Sequence, residues 1–252
     1  MLIMLLRYAF ITDESKNSSV MSINLDDGSA LRRLFNTSVV RADEGYVGSY
    51  DGHLVYCWNG KRSLPIMPKR SSNRDSGTMK EYCTTGADGI ALASGNIYWG
   101  VLASRRFYFV DQSTFVNPNL TDEDILKAVQ FPGQCASEQA GLSADDRGRV
   151  YISASEQNAI YYVDTQRSEV NETVNGTPPG GSGPVATEDY VVKTLVRNAM
   201  IQHADSLAIL DGWLYFCTNQ LELSPARSYN NTDLRQGPFR SFRLWIGRGP
   251  AV

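Results

Sequence analysis

One pattern recurs along this chain and constrains the fold more than any bulk property. Residues 86–111 read GADGIALASGNIYWGVLASRRFYFVD, and residues 139–164 read QAGLSADDRGRVYISASEQNAIYYVD. Residues 204–221, ADSLAILDGWLYFCTNQL, repeat the opening part, and residues 7–28, RYAFITDESKNSSVMSINLDDG, repeat the later part without its first run. Stacked, the copies align Tyr8, Tyr98, Tyr151 and Tyr215, and they place Asp88, Gly141 and Asp205 in one column. The runs are short, β-branched and aromatic, and are bounded by Gly, Asp and Asn, which reads as strands joined by tight turns. Meanders of three or four strands that recur every ~40–60 residues form propeller blades, which bury both sheet faces only by stacking on one another. The sequence therefore predicts an all-β chain with blade-like units over roughly 1–80, 86–130, 139–195 and 204–252.

The spacers carry their own signals. YVGSYDGHLVYCWNGKRSLPIM, 46–67, reads as further strands with DG and NG turns. LTDEDILKAV, 120–129, predicts one short helix capped by Thr121, with Asp124 three residues on. The Gly- and Pro-rich segment 171–189 predicts a flexible insertion between strands. Its GGSG is no nucleophile elbow, since no strand leads into it, and the chain has neither a Walker loop nor a dinucleotide fingerprint. MLIMLL at the N-terminus is too short for a signal peptide, is ended by Arg7 and lacks a small-residue cleavage site, so Leu5–Ile11 reads as a strand. A net charge of −3 gives no basic footprint for nucleic acid. No apolar run approaches the ~18 residues of a membrane-spanning helix.

Six Asn residues stand in N-x-Ser/Thr sequons: Asn17, Asn36, Asn119, Asn171, Asn175 and Asn230. About two would arise by chance at this Ser and Thr content, so the excess predicts a glycosylated, extracellular protein. The four cysteines, Cys57, Cys83, Cys135 and Cys217, show no C-x-x-C, and two His give no zinc spacing. Cys83 precedes Asp88 by five residues and Cys135 precedes Gly141 by six. Adjacent repeats would bring these two together, which predicts a Cys83–Cys135 disulfide. Four unpaired thiols are the alternative.

The ordered series ITD, GADGIAL with IYW, SRRFYFVD, GLSADDRGRVYISASEQNAIYYVD and DSLAILDGWLYFCTNQL resembles the major royal jelly protein/Yellow family. The resemblance covers most of the chain. It implies a six-bladed β-propeller type, secretion, and an incomplete arc of about four blades, truncated at its N-terminus along with the signal peptide. An arc of this kind is expected to expose two blade faces and at least one strand edge. The chain alone is then expected to aggregate, whereas a parent longer by about two blades is expected to be soluble.

In a propeller, the residue just before each innermost strand sits at the rim of the central channel. Asp88 and Asp205 are therefore candidate ligand-binding residues, and also candidate ligands for Ca²⁺, Mg²⁺ or Mn²⁺, as in the more distant gluconolactonase/regucalcin-like hydrolases. The competing reading has both carboxylates accepting backbone N–H groups and fixing the turn. Gly141 stands where a third ligand would be expected, with Glu138 or Asn158 as substitutes. Asn219 lies where the resemblance places the pocket of amine-binding relatives. Ser153 or Ser206 with His203 lacks an orienting acid and is a poor nucleophile pair. Three readings remain: a secreted propeller binding an aromatic or amine-type small molecule without a cofactor, a divalent-metal lactonase-like hydrolase, and a fragment with no activity of its own.

Overall fold

The structure, a computed structural model, describes residues 7–58, 80–167 and 183–251. Sequon residues Asn171 and Asn175, the 59–60 turn and most of the 171–189 insertion lie outside these residues.

Three strands open the chain as an antiparallel meander: β1 (Tyr8–Asp13), β2 (Ser19–Asn24) and β3 (Ala30–Arg33). A small hairpin follows, β4 (Gly48–Tyr50) with β5 (His53–Val55), and then the two-residue strands β6 (Cys57–Trp58) and β7 (Lys80–Glu81) pair with each other. The second meander is β8 (Ala87–Ala93), β9 (Asn96–Val101) and β10 (Phe107–Asp111), followed by helices α1 (Gln112–Val116) and α2 (Asp122–Ala128). The third is β11 (Leu142–Ala144), β12 (Arg149–Ala154) and β13 (Ala159–Asp164). After the short pair β14 (Gln166–Arg167) and β15 (Gly183–Pro184), β16 (Lys193–Arg197) adds to it as a fourth strand. The fourth is β17 (Ala204–Leu210), β18 (Trp213–Thr218) and β19 (Ser241–Trp245).

The turns follow from local chemistry. Ser94–Gly95 and Asp211–Gly212 hold positive φ at both positions, the type I′ geometry that matches strand twist, and Asp51–Gly52 does the same in the β4–β5 hairpin. The expected helix forms with a full capping box: Thr121 Oγ1 accepts from the Asp124 N–H, and Asp124 Oδ2 accepts from the Thr121 N–H.

The meanders stack face to face, and three apolar clusters fill the gaps between them. Val20, Leu34, Trp99, Tyr108 and Phe115 lie between the first and second sheets. Tyr98, Phe107, Phe109, Leu142 and Ile152 lie between the second and third, and Tyr151, Ile160, Ile209, Leu214 and Phe216 between the third and fourth. Neighbours on one strand, Tyr98 and Trp99, thus serve opposite clusters, as the pleat requires. The inner strands run side by side, with β11 packed against both β8 and β17. This is propeller packing. Among the described residues the sheets do not close into a ring. Ile11 on the first sheet and Leu210 and Trp245 on the fourth remain exposed. No helix of the described residues is long and apolar enough to cross a membrane.

The disulfide expectation is corrected. Cys83 pairs with Cys57, with Cα atoms 5.0 Å apart, inside the range a disulfide requires. The segment after β3 reaches the connection between β18 and β19, where the Trp58 N–H donates to the Ala226 carbonyl, and β6–β7 pairing brings Cys57 to Cys83. Cys135 is buried in the cluster between the second and third sheets, and burial pushes its thiol up to about 12. Cys217 is exposed and unpaired.

Candidate functional site

The repeated Asp residues sit in matching irregularities. β8 and β9 shift register between Ala87 and Ile90, and β17 and β18 shift between Ala204 and Leu207. Asp88 and Asp205 lie inside these bulges, which re-aim side chains and often border functional sites. Neither carboxylate accepts a backbone N–H among the described residues, so the turn-fixing reading does not hold. Asp145 does that work instead: its Oδ1 accepts the Arg147 and Arg149 N–H groups, and its Oδ2 accepts Tyr151 and Arg248. Thr12 donates to the Asp88 carbonyl. Asn219 Nδ2 donates to Asp205 Oδ2 at 2.8 Å, and Asn219 Oδ1 accepts the Leu221 N–H at 3.0 Å. Asn219 therefore both orients Asp205 and starts the turn Leu221–Leu223 that carries Glu222.

Gly141 occupies the third equivalent position and cannot carry a ligand. A Cβ there would lie 1.5 Å from the Asp205 carbonyl oxygen. Ser153 Oγ, buried, accepts the Ala140 and Gly141 N–H groups and fixes this close approach. Ser153 is thereby committed to structure, and Ser206 is exposed, so neither pairs with His203 as a nucleophile. Asn158 closes the turn Ser155–Gln157 in the left-handed region, and its Oδ1 is buried without a hydrogen bond. No hydrogen bond ties Asn158 to Asp88 or Asp205.

Arg227 and Glu222, which the sequence did not single out, complete the centre with Glu138 and His203, which it did. Arg227 Nη1 meets Glu138 Oε1 at 2.5 Å, both buried, and Arg227 Nη2 reaches Thr85 Oγ1 at 3.2 Å, just ahead of β8. His203, two residues before Asp205, meets Glu222 through Nδ1 and Oε1 at 2.7 Å, with both side chains buried. The electrostatics record the crowding. Burial first, then Glu14 and Asp205, push Asp88 up to about 7, with His203 and Arg227 pulling the other way. Burial also raises Glu138, against the attraction of Arg227. Burial opposes charge on Glu222 and His203 alike, but their mutual attraction wins, holding Glu222 below and His203 above its ordinary value. Their ion pair therefore stabilises the fold between the ordinary carboxylate and imidazole ranges. The His203 share is lost as pH rises through its raised folded pKa, and the Glu222 share as pH falls through its depressed one.

The β4–β5 hairpin lies over this centre. Tyr46, Gly48 and Tyr50 face inward, and a Cβ on Gly48 would stand 3.6 Å from Glu138 Oε2. Glu156 anchors the hairpin: its carboxylate accepts from the Ser49 N–H at 2.7 Å, the Tyr46 hydroxyl, the Glu138 N–H and both arms of Arg105. Tyr50 Oη and Glu222 Oε2 are buried without hydrogen-bond partners.

A family model described as major royal jelly protein matches residues 5–177, more than half of the chain. The chain belongs to the major royal jelly protein family. No curated protein sequence matches it. Among solved structures, a luciferin-regenerating enzyme is 15% identical over 97% of this chain and 76% of its own, with a TM-score of 0.38. Regucalcin from Agrobacterium tumefaciens, a calcium-binding protein, is 10% identical over 98% of this chain and 76% of its own, also at 0.38. Superposition at that level bears on nothing in the chemistry of this chain. As a family member it shares the β-propeller fold, and its four described sequon residues, Asn17, Asn36, Asn119 and Asn230, are all exposed.

Proposed function

We propose that this chain is a secreted, glycosylated propeller protein that binds a small cationic molecule of the aromatic-amine class at the acidic centre. The observation that carries the reading is charge imbalance in a desolvated place. Four carboxylates, Asp88, Glu138, Asp205 and Glu222, gather where, among the described residues, Arg227 and His203 answer them. Carboxylates drawn out of water and crowded by like charge gain most from a cation. Tyr46 and Tyr50 are buried above them and bring aromatic rings to the centre, that of Tyr46 already carrying the Arg105 guanidinium 5.5 Å from its centroid. The exposed outer faces of the first and fourth sheets support an arc of about four blades of the six-bladed type.

The metal-dependent hydrolase reading draws less support. Asp88 and Asp205 offer two oxygen donors, Gly141 removes the third position, and among the described residues no group of three His, Cys, Asp or Glu side chains could hold an ion. These residues do not fit a divalent cation.

Calorimetric titration with tyramine and with 4-ethylphenol, which lacks the ammonium, tests the proposal. Tyramine is expected to bind at least about tenfold more tightly, because the buried carboxylates select charge. Binding is also expected to release a proton from Asp88, up to about half an equivalent at pH 7, since a cation favours its ionised form. Equal affinity for the two ligands would overturn the charge argument. Binding of neither, with no lactone turnover in calcium, would favour a chain without activity of its own.

A further inference from the structure

The β4–β5 hairpin belongs to no blade. Its strands pair only with each other, and an isolated two-stranded ribbon is marginal by itself. Its inward residues, Tyr46, Gly48, Tyr50 and Val55, are buried over the acidic centre, while Ser49, His53 and Leu54 face solvent. Its attachments to the body go to turns and strand ends, among them an Asp43–Arg106 ion pair and the Arg105 guanidinium over the Tyr46 ring. Ser49 and Tyr46 hold Glu156, the His53 ring stacks on Tyr229 at 4.2 Å, and Trp58 donates from its backbone to Ala226 and from its indole to Ser228. At its start the Asp43 N–H donates to Ala103 at 3.0 Å. A side-chain cross-link, the Cys57–Cys83 bond two residues beyond β5, ties the hairpin to the segment leading into β8.

Beneath the hairpin, Tyr50 Oη and Glu222 Oε2 lie buried with no hydrogen bond. Unpartnered buried polar atoms are costly, and they are tolerated where something else must fit. With the hairpin down, Tyr46 and Tyr50 are buried against the centre.

We propose that the hairpin is a lid over the acidic centre and that Cys57–Cys83 is its latch. Opening needs a dithiol reductant. One of its thiolates attacks a sulfur of the Cys57–Cys83 bond, and its second thiol resolves the mixed disulfide. Two electrons and two protons pass to the cysteines, and the reductant leaves as a cyclic disulfide. The released hairpin then keeps its turn contacts and the two-residue β6–β7 ladder, and swings from Glu138 and Glu222. The inference takes the centre as the binding site proposed above, but its test uses no ligand, so the two readings can fail separately.

The test is hydroxyl-radical footprinting of the full chain, oxidised and after dithiothreitol treatment under native conditions, read residue by residue by mass spectrometry. Tyr46, Tyr50 and His203 are 7%, 3% and 1% exposed and report the lid, and Tyr98 and Tyr151, both fully buried between sheets, report the blades. Reduction is expected to raise oxidation of the three lid reporters about tenfold and to leave Tyr98 and Tyr151 protected. A Cys57→Ser variant is expected to behave as the reduced protein does, without reductant. Lid reporters unchanged by reduction would overturn the latch. Tyr98 and Tyr151 rising together with them would overturn it too, by showing that the disulfide holds the whole fold.

Discussion

At the head of β8 and of β17 the chain places an Asp inside a β-bulge, whereas at the same position before β11 it places Gly141 under the Asp205 carbonyl. The three positions share a sequence frame, and the Ala before each is buried. Their tasks differ. The second repeat gives up its side chain so that the fourth sheet can approach closely, and that approach seats Asp205. The first and last repeats keep carboxylates that no backbone group satisfies. Close packing in one repeat thus builds the acidic site shared by the other two.

Breaking the packing side should cost most. Gly141→Ala forces a methyl into the Asp205 carbonyl, so we expect a loss of more than about 4 kcal/mol in denaturant unfolding, or failure to fold. Glu138→Gln leaves Arg227 buried without its counter-charge and should cost about 3 kcal/mol in the same measurement.

Acting on the carboxylate side should cost less and can reverse sign. The folded pKa of Asp88 lies above its unfolded value, so the native state holds a proton between about pH 4 and 7 that the unfolded state has released. The wild type therefore loses stability as pH rises through that window. Asp88→Asn removes the loss and should raise the Tm by about 3 °C at pH 8 relative to wild type, with no gain at pH 4. Asn219→Ala should be mildest, costing about 1 kcal/mol by thermal melts through two lost hydrogen bonds, and should weaken tyramine binding by freeing Asp205.

Much of the fold was legible because blade strands are local patterns. The three copies, their Tyr column, the I′ turns at Gly95 and Gly212 and the Thr121 cap can each be read within a few residues. The bulges were visible only as an extra residue between Asp88 and the apolar run, too small a signal to interpret without the register. What stayed hidden depends on chain crossings. Glu138, Glu222 and Arg227 lie up to 89 residues apart and meet only because the sheets stack. Charged residues in the otherwise apolar LELSPAR stretch, 221–227, were the available hint that this turn was buried. The disulfide pairing stayed hidden for the same reason. Repeat equivalence pointed to Cys135, while the excursion between β3 and β8, which belongs to no repeat, delivered Cys57. Closing that 26-residue separation is worth about 3.5 kcal/mol on loop entropy alone.

The central claim is that the two half-buried bulge carboxylates share a negatively crowded centre that awaits a cation. The carbon-13 titration of the Asp88 carboxyl tests it most directly, in the free protein, in Asp205→Asn and with saturating tyramine. The account predicts a midpoint of about 7 in the free protein, a modest fall in Asp205→Asn, where burial and Glu14 still act, and a larger fall with tyramine bound. A midpoint near the ordinary value of about 4, unmoved by either change, would contradict it.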